Sequence, residues 1–83
     1  MSLIYPSKHT SLKYSVVNIS ANILKILKEN TIIGYDELLF LLKDHIGEAV
    51  EEMFLFSLSF LYIHKKIQYI KELDSIRLIH EVI

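Results

Sequence analysis

The chain has 83 residues, of which 52% are hydrophobic, and its formal net charge is −1. That length allows one small domain, and the near-neutral charge provides no overall positive field for nucleic acid or acidic membranes. The lack of cysteine excludes disulfides, thiolate nucleophiles and cysteine-based zinc sites, and it is compatible with the cytoplasmic location that we expect. So many apolar side chains in so short a chain favour a protein partner that covers some of them.

The chain begins with a segment that is predicted to be an extended N-terminal arm, residues 1–11, because Pro6 fixes its own φ and disfavours helix at the preceding residue. The arm lacks the long apolar core of a signal peptide. Ser11 is the predicted N-cap of a first helix over residues 12–29, and Asn30 its predicted stop, since asparagine tolerates the left-handed conformation. The apolar positions of this helix recur at three- and four-residue spacing: Leu12, Val16, Ile19, Ile23, Ile26 and Leu27.

A second helix is predicted over residues 35–46, after a short extended segment at residues 31–33. Acidic side chains in its first turn suit the positive end of the helix dipole. Its apolar residues exceed what one buried face requires, and Leu39 and Phe40 are the surplus. Gly47 is expected to close this helix.

The third helix, over residues 49–65, contains the longest apolar run of the chain, and this run occupies two sides of the helix. One set is expected to face the core: Phe54, Leu58, Leu61 and Tyr62, with Leu55 beside them. The other set is Phe56, Phe60 and Ile63, at four- and three-residue spacing. A surface helix of an isolated domain needs one apolar stripe and a polar back, so the second set is predicted to contact another protein. The alternative is that the first helix or the N-terminal arm covers it.

The apolar run at residues 53–63 is eleven residues long, short of the roughly 17 to 25 that a membrane-spanning helix needs. Two β-rich runs then predict a hairpin over residues 67–80. The order of helix, short strand, two helices and hairpin predicts a single domain over residues 1–83. Its fold class is α+β and mostly helical: a small winged helix-turn-helix domain with three helices and a C-terminal β-hairpin wing.

Catalysis has little support in the sequence. The four histidines, His9, His45, His64 and His80, lie at no metal-ligand spacing, and the chain has too few glycines for a phosphate-binding loop. We therefore predict that the protein is not an enzyme and that it has no cofactor and no metal site.

Direct reading of DNA by the third helix is disfavoured, because its exposed positions would carry acidic and aromatic side chains. Residues 31–63 hold one lysine and six carboxylates, which is the wrong charge for a phosphate surface. Basic residues gather instead around the hairpin, where Lys65, Lys66, Lys71 and Arg77 are candidate phosphate contacts that would not read sequence. The alternative is that they are simply solvated.

Two stretches resemble a known family. Pro6-Ser7-Lys8-His9 leading into an apolar first helix, and Phe60-Leu61-Tyr62 followed by Lys66-Ile67 and a hairpin, resemble the small middle components of bacterial ABC-three-component systems. The chain departs from that pattern at His64-Lys65-Lys66, where the family leads us to expect a glycine, and at Ser59, where we expect an acidic residue.

The resemblance implies a small winged-helix subunit that is encoded beside an ABC- or SMC-like ATPase and an effector, in a complex directed against phages or plasmids. ATP and DNA would then be handled by the ATPase. Pro6, Ser7, Lys8 and His9 would be the N-terminal signature of the family, either anchoring the arm or contacting a partner.

Together these patterns predict a non-catalytic accessory subunit. It would dock through Phe56, Phe60 and Ile63, supported by Leu39 and Phe40, on the ATPase, the effector or a second copy of itself. The competing interpretations are a winged-helix transcription regulator that binds DNA as a monomer or a dimer, and a self-standing homodimer.

Overall fold

The structure is a computed structural model that describes residues 14–79. The helices within this range are α1 (Val16–Glu29), α2 (Tyr35–His45) and α3 (Val50–Ile63). The strands are β1 (Ile32–Gly34), β2 (Ile67–Ile70) and β3 (Ser75–Leu78), and a short 3-10 turn, Lys71–Leu73, lies between the last two.

The two ends of α1 are set by side-chain caps. The hydroxyl of Ser15 accepts a hydrogen bond from the backbone N–H of Asn18 at 3.1 Å, so the helix starts four residues later than predicted. The predicted cap, Ser11, lies outside the described residues. At the other end Asn30 is extended, with φ −126°, and its side-chain amide donates to the carbonyl of Ile26 at 2.9 Å. The left-handed stop predicted there is therefore wrong, and the amide group of Asn30 provides the cap instead.

The connections at the two ends of α3 depend on unusual backbone conformations. Gly47 has φ 150°, and a Cβ at this position would collide with the phenol oxygen of Tyr14. After α3, Lys65 has φ 58°, which is left-handed and turns the chain into β2. The helix thus ends at Ile63, two residues earlier than predicted. Lys65 lies within the tripeptide where we expected a glycine, and it adopts the conformation that glycine reaches most easily.

The strands form one antiparallel sheet in the order β1-β3-β2. In the hairpin Tyr69 lies opposite Ile76, and on the other side of β3 Ile33 also lies opposite Ile76. The short strand after α1 therefore pairs with the hairpin and adds a third strand to it. The backbone N–H of Tyr35 donates to the carbonyl of Asp74 at 3.0 Å, which ties the start of α2 to the hairpin turn.

The core lies between the three helices and one face of the sheet. Its buried apolar side chains come from every helix and strand: Ile19, Ile23, Leu27, Ile33, Leu38, Leu42, Val50, Phe54, Leu61, Ile67 and Ile76. The architecture is α+β and mostly helical, with its sheet completed by the C-terminal hairpin, and it is consistent with a small winged-helix-like domain. The predicted fold class is confirmed.

Candidate docking surface on the third helix

The inner side of α3 anchors this helix in the core. Val50, Phe54, Ser57 and Leu61 are buried, at four-, three- and four-residue spacing. The Phe54 ring meets the Tyr35 ring edge to face, with centroids 5.1 Å apart. Ser57 turns its hydroxyl back onto the carbonyl of Met53 at 2.9 Å, so this buried polar group is satisfied within its own helix. The inner side of α3 is thus buried in the core of this domain.

The outer side of α3 is nearly as apolar as the inner side, and it is exposed. Its large apolar residues are Leu55, Phe56, Phe60, Tyr62 and Ile63. Phe56 and Ile63 expose 65% and 73% of their surface, and Phe60 exposes 39%. The Phe60 ring packs at a tilt against the imidazole of His64, with centroids 4.5 Å apart. The exposed polar residues of this side are Glu51 and Glu52 in the first turn and Ser59 between the aromatic residues. We call this outer side the apolar face of α3.

Two residues expected in the core belong to the apolar face instead. Tyr62 and Leu55 are 64% and 63% exposed, so the prediction that they face inward is wrong. Positions seven apart lie on the same side of a helix. Leu55 and Tyr62 therefore lie together at one edge of the exposed side, and Phe56 and Phe60 lie at its other edge. Leu58 is half-buried against the core, and the buried positions of α3 that sequence patterning missed are Val50 and Ser57. The exposed apolar surface is therefore wider than the three predicted residues.

The two supporting residues on α2 differ from one another. Phe40 is exposed, whereas Leu39 is half-buried and packs against the core. A salt bridge between Lys43 and Glu51, with N and O 2.9 Å apart, links α2 to the first turn of α3. The hydrogen bond to Glu51 raises the pKa of Lys43. Leu39 thus has a role within the fold, and Phe40 is the α2 residue with free apolar surface.

An open groove of about 780 Å³ lies beside the apolar face, between the second half of α3, the hairpin and the start of α2. Its lining residues are Tyr35, Asp36, Leu58, Ser59, Tyr62, Ile63, Ile67, Tyr69, Asp74 and Ile76. We call it the α3–hairpin groove. Tyr62 and Ile63 belong both to it and to the apolar face, so the two surfaces are continuous. Among the described residues that line it, the charged groups are two carboxylates, Asp36 and Asp74.

These carboxylates give the α3–hairpin groove a negative field. The phenol of Tyr69 donates to Oδ1 of Asp74 at 2.5 Å, and this bond raises the pKa of Tyr69. The pKa of Tyr35 is also raised, first by burial and then by Asp36, Asp74 and Glu51. Sequence reasoning missed the groove because Asp36 and Asp74 are brought together by the pairing of β1 with β3, which the sequence pattern did not reveal.

The candidate phosphate contacts do not line the α3–hairpin groove. Lys65, Lys66, Lys71 and Arg77 are all exposed. Lys65 and Arg77 border a second hollow, which shares Tyr62, Ile63 and Ile67 with the α3–hairpin groove. Lys71 lies in the 3-10 turn and borders neither this hollow nor the groove. This arrangement provides scattered positive charge along the hairpin.

Some predicted features cannot be placed. Pro6, Ser7, Lys8 and His9, with the rest of the arm, lie outside residues 14–79, as does His80. Within that range no group of three or more histidine, cysteine, aspartate or glutamate side chains could hold a metal ion. No helix in the described part of the chain is long and apolar enough to cross a membrane.

The fold and this surface define a class: a small α+β domain, winged-helix-like, that carries an exposed apolar helix face beside an acidic groove. Residues 31–79 match the family model described as "ABC-three component (ABC-3C) system Middle Component 8". Because the match covers more than half of the chain, the protein belongs to this family. The suspected family resemblance is thereby confirmed, and the chain is a middle component of an ABC-three-component system. No curated protein and no solved structure is significantly similar to it.

Proposed function

We propose that this middle component is a non-catalytic, cytoplasmic accessory subunit that docks through the apolar face of α3 on an SMC- or ABC-type ATPase, on its effector, or on both. The complex would act in bacterial defence against phages or plasmids. A component of a multi-component system needs protein partners, and the observation that carries the proposal is the exposure of Phe56, Phe60 and Ile63 on one side of a helix whose other side is buried.

The energy available at this face supports a stable complex. Burying one large apolar side chain contributes roughly 1.5–3 kcal/mol. Phe56, Phe60 and Ile63 together would contribute on the order of 5–9 kcal/mol as an upper value, part of which is spent on the entropy of association. Phenylalanine rings and a β-branched residue lose little side-chain entropy on binding, which favours their use as anchors.

The competing function, sequence-specific DNA binding, is not favoured by α3. In a helix-turn-helix protein this helix would present its exposed side to the major groove. Here that side carries Glu51 and Glu52 with phenylalanines and an isoleucine, which offer no donors to base edges and add negative charge near phosphates. Docking on protein uses the same side chains without those conflicts.

The test is co-expression of the full chain with the ATPase and the effector encoded beside its gene, followed by a binding measurement. Phe56→Ser and Ile63→Ser should each weaken the complex by at least tenfold, since one tenfold step corresponds to about 1.4 kcal/mol. Val17→Ser is the matched control, because Val17 is 70% exposed but lies on α1. Its affinity should stay within about twofold of the parent chain.

Three results would contradict the proposal. One is unchanged affinity in both α3 variants. Another is a homodimer of defined mass that binds neither the ATPase nor the effector. The third is a sequence-specific gel shift of operator DNA at physiological salt, which would instead support the transcription regulator.

A further inference from the structure

The α3–hairpin groove combines an apolar lining with a negative rim, and this combination restricts what it can bind. Its walls are formed by Leu58, Ile63, Ile67 and Ile76 together with the rings of three tyrosines, Tyr35, Tyr62 and Tyr69. Among its lining residues the charged groups are carboxylates alone. A ligand that buries large apolar groups against the walls must therefore also bring positive charge to the rim.

Asp36 and Asp74 reach the groove from different elements. Asp36 is in the first turn of α2, and Asp74 occupies the left-handed position that ends the 3-10 turn, with φ 47°. Among residues 14–79 the one salt bridge joins Lys43 to Glu51, so neither aspartate is paired with a cation there. Asp74 accepts a bond from Tyr69, but a carboxylate has two acceptor oxygens and can take a further donor.

The basic side chains around the hairpin do not line the groove. Lys65 and Arg77 border the neighbouring hollow, which shares Tyr62, Ile63 and Ile67 with the groove. The charges that face the groove itself come from α2 and the hairpin turn, and both are negative. The raised pKa values of Tyr35 and Tyr69 have these carboxylates among their causes, in agreement with the same field.

A guanidinium group fits these surroundings better than a metal ion or an ammonium group. Two carboxylates supply fewer oxygen ligands than a hard divalent cation requires. A guanidinium is planar and weakly hydrated, it forms paired hydrogen bonds with carboxylates, and it packs on aromatic faces such as those of Tyr35, Tyr62 and Tyr69. Its aliphatic stem would lie along the isoleucine and leucine side chains.

We propose that the α3–hairpin groove binds a segment of the partner protein in which an arginine, held by Asp36 and Asp74, is flanked by large apolar residues. This inference rests on the proposed docking function and names the chemistry of the partner. Because Tyr62 and Ile63 border both surfaces, the arginine segment and the apolar face would form one continuous interface with the partner.

The groove can be tested without the partner. The probe is the blocked peptide acetyl-Leu-Phe-Arg-Leu-amide, compared with the same peptide carrying citrulline, which has nearly the same shape and no charge. Titrated into the ¹⁵N-labelled full chain, the arginine peptide should shift the backbone amides of Tyr35, Asp36 and Tyr69. It should bind at least threefold more tightly than the citrulline peptide. Asp36→Asn should remove most of this difference.

Glu37→Gln is the matched control, because Glu37 is the next residue of the same helical turn but does not line the groove. It should leave the preference for arginine unchanged. Equal affinity for the two peptides, no binding, or shifts confined to residues outside the groove would overturn the proposal. It would also be overturned if Lys8→Gln moved the groove amides in the absence of peptide, because the occupant would then be the N-terminal segment of the chain itself.

The experiments can distinguish an incorrect arginine proposal from an incorrect docking function. Phe56 does not line the groove, so Phe56→Ser should weaken the complex at least tenfold and still bind the arginine peptide. If the complex is lost in Phe56→Ser while the peptides bind equally, the docking function survives and the arginine inference does not. If the peptide preference holds while Phe56→Ser leaves the complex intact, the apolar face is the part that is wrong.

Discussion

The inner and outer sides of α3 are made of similar residues but have opposite surroundings. Phe54 and Phe56 are two positions apart; the first is 1% exposed and the second 65% exposed. Each side also carries a serine in its apolar stretch, Ser57 inside and Ser59 outside. Hydrophobicity therefore does not distinguish the side that holds the domain together from the side that remains available.

The contact of Ser57 with a small residue of α1 explains the difference better. Ser57 is buried where α1 crosses α3, and the hydroxyl of Ser20 on α1, also buried, approaches the carbonyl of Ser57 at 3.5 Å. Two small residues facing each other let the helices pack closely, as ridges of large side chains would not. The outer side has larger residues around Ser59, and no described element packs over them. Ser57 thus differs from Ser59 because a small residue of α1, Ser20, packs against it, and its size alone does not mark the inner side.

The largest expected difference is between alanine substitutions at the two phenylalanines, Phe54 and Phe56. Phe54→Ala removes a buried ring and its contact with Tyr35, and it should lower the free energy of unfolding by about 3–5 kcal/mol. Phe56→Ala should change it by no more than about 0.5 kcal/mol. Urea denaturation followed by circular dichroism measures both.

A domain of this size has a stability of only about 4–12 kcal/mol, so Phe54→Ala can leave too little folded protein to measure. Phe54→Leu, which keeps most of the volume, then gives a smaller loss of about 1 kcal/mol that still exceeds the effect at Phe56. Similar losses at the two positions would show that the outer side contributes to the stability of the domain itself.

The next largest expected effect is the difference in stability between leucine substitutions at Ser57 and Ser59. Ser57→Leu forces extra atoms between α1 and α3 and should cost about 1–3 kcal/mol. Ser59→Leu places the same side chain on the exposed side, where the free energy of unfolding should stay within about 0.5 kcal/mol of the parent value. Thermal unfolding of the two variants, each compared with the parent chain, measures both losses of stability. If Ser59→Leu is the more destabilising, the close packing at Ser57 is not what defines the inner side.

Much of the fold could be predicted because its helices have strong periodic signals. Ile19, Ile23 and Leu27 are buried as their spacing predicts, and the third helix has the two apolar sides that its sequence indicates. The assignment of α3 residues failed where the pattern was ambiguous. In a run with almost no polar residues, Leu55 and Tyr62 have no neighbours in sequence that mark them as exposed, and only packing against α1 determines the orientation.

The groove could not be predicted, since it depends on long-range pairing. Gly34 lies opposite Ser75, a register that brings the start of α2 next to the hairpin turn. A three-residue strand carries too little pattern to reveal its partner. The prediction of a left-handed Asn30 at the end of α1 failed for a local reason. Asparagine can end a helix through its backbone conformation or through its side chain, and the residue type alone does not decide which.

The smallest expected effect is a decrease in the free energy of unfolding at alkaline pH, caused by three titratable groups near the exposed side of α3. The pKa values of Tyr35, Tyr69 and Lys43 are all raised: burial is the main cause for Tyr35, the bond to Asp74 for Tyr69 and the bond to Glu51 for Lys43. A group with a higher pKa in the folded protein holds its proton more tightly there than in the unfolded chain. Its contribution to stability is complete below the unfolded pKa, about 10 for tyrosine and 10.4 for lysine, and is lost as pH rises through the folded pKa.

The free energy of unfolding should therefore show no loss from these three groups between pH 7 and 9 and should decrease above about pH 10. Tyr69→Phe removes the phenol that donates to Asp74, and it should make the alkaline decrease shallower while leaving the value at pH 7 nearly unchanged, because the bond is exposed. Tyr62→Phe is the matched control, since Tyr62 is also exposed and, within residues 14–79, its phenol makes no such bond to a carboxylate. Equal slopes in the two variants would mean that the Tyr69–Asp74 bond does not persist in solution, and the second carboxylate of the groove would then be less well positioned for an arginine than Asp36.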